Sequence, residues 1–149
     1  MSLQVSIMAK MKEAMKAKDQ IALTSLRAIK AELLLAQTAS GSKEELTESE
    51  EIKLVQKLVK QRKDSATIFA TQNRPDLAEP ELAQAAIIEQ FLPEQFTEDE
   101  VEKIVLKAIT TLGASGMKDM GKVMAVVNTE VAGQADSKTI SVIVKKNLM

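Results

Sequence analysis

One proline constrains this chain more than any other residue. Pro93, within Phe91-Leu92-Pro93-Glu94-Gln95-Phe96, has no backbone donor and disfavours a helical conformation at Leu92, so a helix arriving from Ala85 to Gln90 must stop there. Thr97 then restarts one. Its hydroxyl can accept an orphan amide bond, Glu100 stands at the capping-box position, and Glu98, Asp99 and Glu100 favour the positive end of the helix dipole. The sequence thus predicts two helical bodies, 1–93 and 94–149. Phe91 and Phe96 bracket the junction, where a hydrophobic clamp between the bodies is expected rather than a ligand site.

Composition narrows the chemistry. Lys and Arg total 20 against 21 Asp and Glu, a formal charge of -1 over 149 residues, so any attraction to nucleic acid or membrane must come from a local patch. The absence of Cys and His excludes thiol nucleophiles, disulfides, imidazole bases and the usual zinc ligands. The start, Met1-Ser2-Leu3-Gln4, has neither the basic nor the long apolar region of a signal peptide, and no apolar run reaches membrane-spanning length, so a cytoplasmic protein is expected. Gly and Pro are scarce while Ala, Leu, Lys, Glu and Met abound, which favours an all-α fold.

In the first body, Met8, Met11 and Met15 recur at helical spacing and predict an amphipathic helix over 3–18 with methionine in the core. Asp19 caps a second helix with the seam Ala22, Leu26, Ile29, Leu33 and Ala36. A polar loop over 39–46 contains Ser40-Gly41-Ser42-Lys43 but lacks the earlier glycine of a phosphate loop. Thr47, followed by Glu48, Glu50 and Glu51, opens the longest helix, about 25 residues or roughly 37 Å. Its seam, Ile52, Val55, Val59, Ala66 and Phe69, is interrupted by Arg62, which must pair with a carboxylate or mark a groove between helices. Lys53, Lys57, Lys60 and Lys63 fill the solvated faces. Asn73-Arg74-Pro75-Asp76 reads as a turn, and Pro80 places the next helix from about Pro80 to Phe91.

In the second body, Val101, Ile104, Val105, Ala108, Ile109 and Leu112 make a clean helical face closed by Gly113. A further helix carries the seam Met117, Met120, Met124, Val127 and Val131. Gly121 inside it costs about 1 kcal/mol against Ala, which predicts a neighbouring backbone packed close. Gly133 ends that helix. Asp136 caps the last, where the β-branched Ile140, Val142, Ile143 and Val144 would suit a strand, but terminal Lys145 and Lys146 and the lack of a partner strand decide for helix.

These residues carry a resemblance to the YqeY family, whose second body is similar to the tail domain of the B subunit of the tRNA-dependent amidotransferase. The likeness covers nearly the whole chain. It rests on Lys57-Leu58-Val59-Lys60-Gln61-Arg62-Lys63-Asp64-Ser65, on Phe91-Leu92-Pro93-Glu94-Gln95, on Gly113 to Met124 and on Gly133-Gln134-Ala135-Asp136 before a basic-ended helix. It implies an all-helical amino-terminal bundle and a small three-helix carboxy-terminal domain. In the amidotransferase that tail helps to hold tRNA while other parts perform the chemistry. Gln134 stands where many relatives carry a base and Ser137 where glycine is common, which weakens the expectation of a cationic contact at that loop.

No catalytic residue, metal site or cofactor is readable. Ser115 has no His to activate it, Lys118 would need a strongly lowered pKa, and Glu98 with Glu102 suit a first helical turn. The candidate RNA-binding residues are Lys118, Lys122, Lys138, Lys145 and Lys146, against which stands the simpler reading that they keep a small domain soluble. Stacking aromatics are missing from this body except Phe96, so a folded RNA such as tRNA is the expected partner, with no DNA and no membrane. The leading expectation is a non-catalytic accessory protein that binds tRNA or associates with an amidotransferase. The alternative is a protein-interaction module that uses a groove around Arg62, Phe91 and Phe96. Family kinship also implies a glutamine-dependent carbon-nitrogen ligase activity, which the chain alone is not expected to show.

Overall fold

The computed structural model describes residues 2–39, 41 and 46–149. Ser40, Ser42 and Lys43 of the predicted polar loop lie outside the described residues. Seven α-helices and one 3-10 turn account for the regular structure, with no strand among the described residues. The chain divides into two compact units between Leu92 and Pro93.

The first unit holds α1 (Leu3–Ala17), α2 (Gln20–Ala39), α3 (Glu48–Thr71) and α4 (Pro75–Glu89). Helix α2 packs against each of the other three. Its seam of Leu23, Leu26, Ile29 and Leu33 meets Leu3, Ile7, Val55, Leu58, Val59 and Ile88 in one core, while Ala22 and Ala36 of the expected seam are half-buried. Asp19 caps α2 by accepting the Ala22 amide at 3.0 Å. Thr47 and Glu50 form the predicted capping box: the Thr47 hydroxyl accepts from the Glu50 amide, and the Glu50 carboxylate accepts from the Thr47 amide at 2.8 Å. Those bonds from Thr47 hold the Glu50 carboxyl below its ordinary range.

Two expectations fail in this unit. Met8 and Met15 are exposed and Met11 is half-buried; α1 buries Leu3, Ile7 and Ala14 instead. Met8 and Met15 sit one step round the helix from that stripe, while Met11 packs against the core. Helix α4 starts at Pro75 and runs through Pro80. Pro75 occupies the first helical position, where its missing donor is harmless, and Arg74 accepts from the amides of both Leu77 and Ala78 at 3.1 Å. The donor that Pro80 lacks would have served the Asp76 carbonyl in the first exposed turns, where water can replace it. Arg74 grips Asp76 through two bonds of 3.0 and 2.9 Å, which pushes the Asp76 carboxyl below its ordinary range. Turns at Gln90, Phe91 and Leu92 finish the unit.

The second unit is a bundle of α5 (Glu98–Leu112), α6 (Met120–Val131) and α7 (Ser137–Leu148), each packed on the other two. Thr97 and Glu100 form the second capping box, and Gly113 closes α5 at φ 62°, a left-handed conformation that glycine adopts without strain. Asp136 caps α7, accepting the Thr139 amide at 2.6 Å. The core gathers Val101, Val105, Val123, Val127, Ile140 and Val144. Leu112, expected on the α5 face, is exposed at the end of the helix.

Helix α6 departs most from its sequence reading. Its buried stripe is Val123, Val127 and Val131; Met120 and Met124 are half-buried, and Met117 lies exposed in the 3-10 turn Met117–Asp119. The left-handed cap is Ala132, at φ 44°, with Gly133 following at φ 87°. An alanine there is strained by about 1–2 kcal/mol, and the bonds of the succeeding loop hold it. Phe96 donates its amide to the Gln134 carbonyl at 2.7 Å, the Gln95 side chain donates to the Gly133 carbonyl at 3.0 Å, and the Gln134 side chain donates to the Glu94 carbonyl at 3.1 Å.

Gly121 meets no neighbouring backbone. A Cβ built on it finds open space, and its φ is not positive. Gly121→Ala is therefore expected to stabilise the protein by about 0.5–1 kcal/mol, read as a shift in the urea midpoint. A lower midpoint would mean that the residue serves a contact absent from the folded chain itself.

Candidate functional site

The five candidate lysines fall into two groups distinguished by helix electrostatics. Lys118 lies in the 3-10 turn that leads into α6, Lys122 in the first turn of α6, and Lys138 in the first turn of α7. All three are exposed and none forms an ion pair with another described residue. A cation in a first helical turn opposes the helix dipole, at a cost of about 0.3–1 kcal/mol. Lys145 and Lys146 occupy the last turn of α7, where the dipole favours them; Lys146 also approaches Glu102 at 3.9 Å across an exposed face. Helix electrostatics therefore favours Lys145 and Lys146 where they stand and disfavours Lys122 and Lys138.

Local geometry fixes both groups. Gly116, at φ 81°, turns the chain into Met117, and Asp119 accepts the Ser115 amide at 2.9 Å, which orders the approach to α6. On α7, Ile140, Ile143, Val144 and Leu148 face the core. Helical spacing places Lys138 and Lys145, two turns apart, on the opposite face beside exposed Val142. The acidic side chains Glu98, Asp99 and Glu100 gather at the start of α5.

Ser115, considered as a nucleophile, is exposed, and its amide donates to the Asp119 carboxylate at 2.9 Å. Among the described residues no group of three or more acidic side chains is disposed to hold a metal ion. No helix among the described residues is long and apolar enough to cross a membrane.

Arg62 and the two phenylalanines occupy different places. Phe91 packs on the core of the first unit and lines a cleft of about 280 Å³ with Ala14, Ala22 and Leu26. Phe96 packs on the core of the second unit. Arg62 is half-buried on α3, facing α4, and lines a cleft of about 530 Å³. Among the described residues it has no carboxylate partner, and its buried Nε finds no acceptor.

Sequence reasoning missed Gln95 and Gln134. Two separated stretches that looked characteristic, one ending in Gln95 and one containing Gln134, hydrogen-bond to each other's backbone. The amide of Gln134 spans a backbone gap and so has a structural use at the position where a base was expected. Only the pairing of the two loops reveals it.

Comparison with known proteins follows the same extent. A family model described as Yqey-like protein matches residues 4–148. Altered inheritance of mitochondria protein 41, mitochondrial, of Pyrenophora tritici-repentis is 33% identical over 138 residues, which span 91% of this chain and 75% of that protein. The protein of the same description from Clavispora lusitaniae is 36% identical over 102 residues, 66% of this chain and 58% of its own length.

Proposed function

The chain belongs to the YqeY family, and from that premise we propose that it is a non-catalytic accessory protein whose second unit binds a folded RNA of the tRNA class. One observation carries the reading: Lys118, Lys122 and Lys138 stand exposed with no ion-pair partner among the described residues, Lys122 and Lys138 in first helical turns where they oppose the helix dipole and Lys118 in the 3-10 turn that leads into α6. A phosphate backbone would reverse that balance. It would meet the lysines at the positive ends of α6 and α7, a combination suited to anions. Lys145 and Lys146 extend the cationic surface along α7. Phe96 is engaged with the core, so no aromatic platform reads unstacked bases, and shape rather than sequence would set the preference. The similarity of the second unit to the amidotransferase tail supports tRNA as the class.

The test is binding of the full chain to labelled bulk tRNA and to a length-matched duplex RNA, at low and near-physiological salt. The expected result is a preference for tRNA that survives the higher salt. Lys118→Glu with Lys122→Glu should weaken binding about tenfold or more and flatten the salt dependence by about two counterions, while the melting temperature holds. Equal binding to both RNAs, or affinity unchanged by the reversal, would reject the assignment.

The exposed side chains Val5, Met8 and Met15 on α1, with Leu34 and Leu35 on α2, favour a second reading, a protein-interaction module. Nuclease-insensitive recovery of one stoichiometric protein would support it. Recovery that nuclease abolishes would return the balance to RNA.

A further inference from the structure

The cleft between α3 and α4 is lined by a set of polar side chains that the protein leaves unused. Gln61, Arg62, Ser65 and Ile68 come from α3, Glu81 and Gln84 from α4. Helical spacing puts Glu81 and Gln84 in line with buried Ile88 on the face of α4 that meets α3, and Arg62 in line with buried Val55 and Ala66 on α3. The core thus sets the positions of these polar groups. Asp64, on the rim, is already engaged by Lys60 at 3.2 Å. The others are not: Arg62, Glu81, Gln61, Gln84 and Ser65 make no side-chain hydrogen bond or ion pair with another described residue. Arg62 and Glu81 share one cleft, yet no nitrogen of the first comes within 4.0 Å of an oxygen of the second.

Charge selects the ligand. A phosphate or other dianion would meet Glu81 and Asp64, a metal cation would meet Arg62, and a neutral amide would leave both charges unanswered. A molecule with a carboxylate and an ammonium a few ångströms apart answers both at once. We propose that this cleft binds a free α-amino acid as its zwitterion, with the carboxylate on Arg62 and the ammonium on Glu81. Planar guanidinium and carboxylate match in a two-bond fork. Gln61, Gln84 and Ser65 supply both donors and acceptors to the remaining polar atoms, and Ile68 offers an apolar wall to the ligand's side chain. A volume of about 530 Å³ admits a molecule of that size with room for water.

The site lies wholly in the first unit, so it stands or falls separately from the RNA surface. The common L-amino acids are titrated one at a time against the full chain, with the melting temperature and calorimetric heat as readouts. At least one is expected to raise the melting temperature. Its N-acetyl and carboxamide derivatives should each bind about tenfold or more weakly, because each removes one charge-assisted contact. Arg62→Met and Glu81→Gln should each abolish the shift, whereas Lys118→Glu with Lys122→Glu should keep it. Arg62→Met keeps the aliphatic stem and removes a buried donor that lacks an acceptor, so it is expected to melt no lower than the parent chain. No response to any amino acid overturns the assignment. So does equal binding of either blocked derivative, or binding retained in both variants.

Discussion

Replacing Ile140 by Ala is expected to destabilise the second unit by about 2–5 kcal/mol, the usual range for removing a buried isoleucine side chain down to Cβ. Ile140 is fully buried and sits among Val101, Val105, Val123, Val127 and Val144. The other fully buried members of that core are valines, too short and too stiff at χ1 to swing into the space left behind. A unit of about 60 residues has little stability in reserve. Native-state hydrogen exchange gives the sharpest reading: protection across α5, α6 and α7 should collapse while that of α1 to α4 remains. Equal loss throughout would show that the two units unfold together. Because Lys138 and Lys145 ride on α7, RNA binding should fail at the temperature where α7 loses protection. Lys118→Glu with Lys122→Glu should fail in binding without that loss, so the two variants separate folding from recognition.

Features set within a few residues were legible in the sequence. The boxes Thr47 with Glu50 and Thr97 with Glu100, the caps Asp19 and Asp136, and the left-handed Gly113 each depend on neighbours no more than four positions away. Composition, together with similarity to a known family, extended that reading to the all-α class. What escaped it depends on distant partners. Of the seam read as Met117, Met120, Met124, Val127 and Val131, the two valines are buried, Met120 and Met124 pack at the core's edge and Met117 is exposed; only the placing of α5 and α7 adds Val123 to the buried stripe. Pro80 reads as a helix start unless Pro75 and Arg74 have already begun the helix upstream. Gly121 looks like a close-packing residue until the space around it is seen to be open. The candidate sites divide in the same way. The lysines are visible as charges, but the opposition of Lys122 and Lys138 to the helix dipole appears only once the first turns of α6 and α7 are placed. Arg62 stands out in its seam, whereas Glu81 and Gln84 gain meaning only from the packing of α4 on α3.

That packing rests on one large side chain, which makes Ile88→Ala the most informative substitution in the first unit. The buried residues of α4 are Ala78, Ala85 and Ile88. The alanines allow close approach to α3 but bring little apolar surface, so the truncation should leave only methyl groups on the fully buried face of α4. Ile88 is fully buried and joins Val55, Leu58, Val59 and Ile29 in the core. Its loss should cost about 2–5 kcal/mol, towards the upper end because residues held on three helices cannot all relax into one cavity. The Lys63–Glu89 ion pair at 3.1 Å also links α3 to α4, but both partners are substantially exposed and such a pair contributes at most about 1 kcal/mol. It cannot compensate. A urea midpoint lowered to match, with exchange protection in α4 lost first, would establish Ile88 as the anchor of the helix that carries Glu81 and Gln84. Amino-acid binding should then disappear through loss of the cleft's second wall, whereas Arg62→Met should abolish it in a chain of undiminished stability. A loss below about 1 kcal/mol for Ile88→Ala would mean that α4 is held mainly by its Pro75 start and its turns.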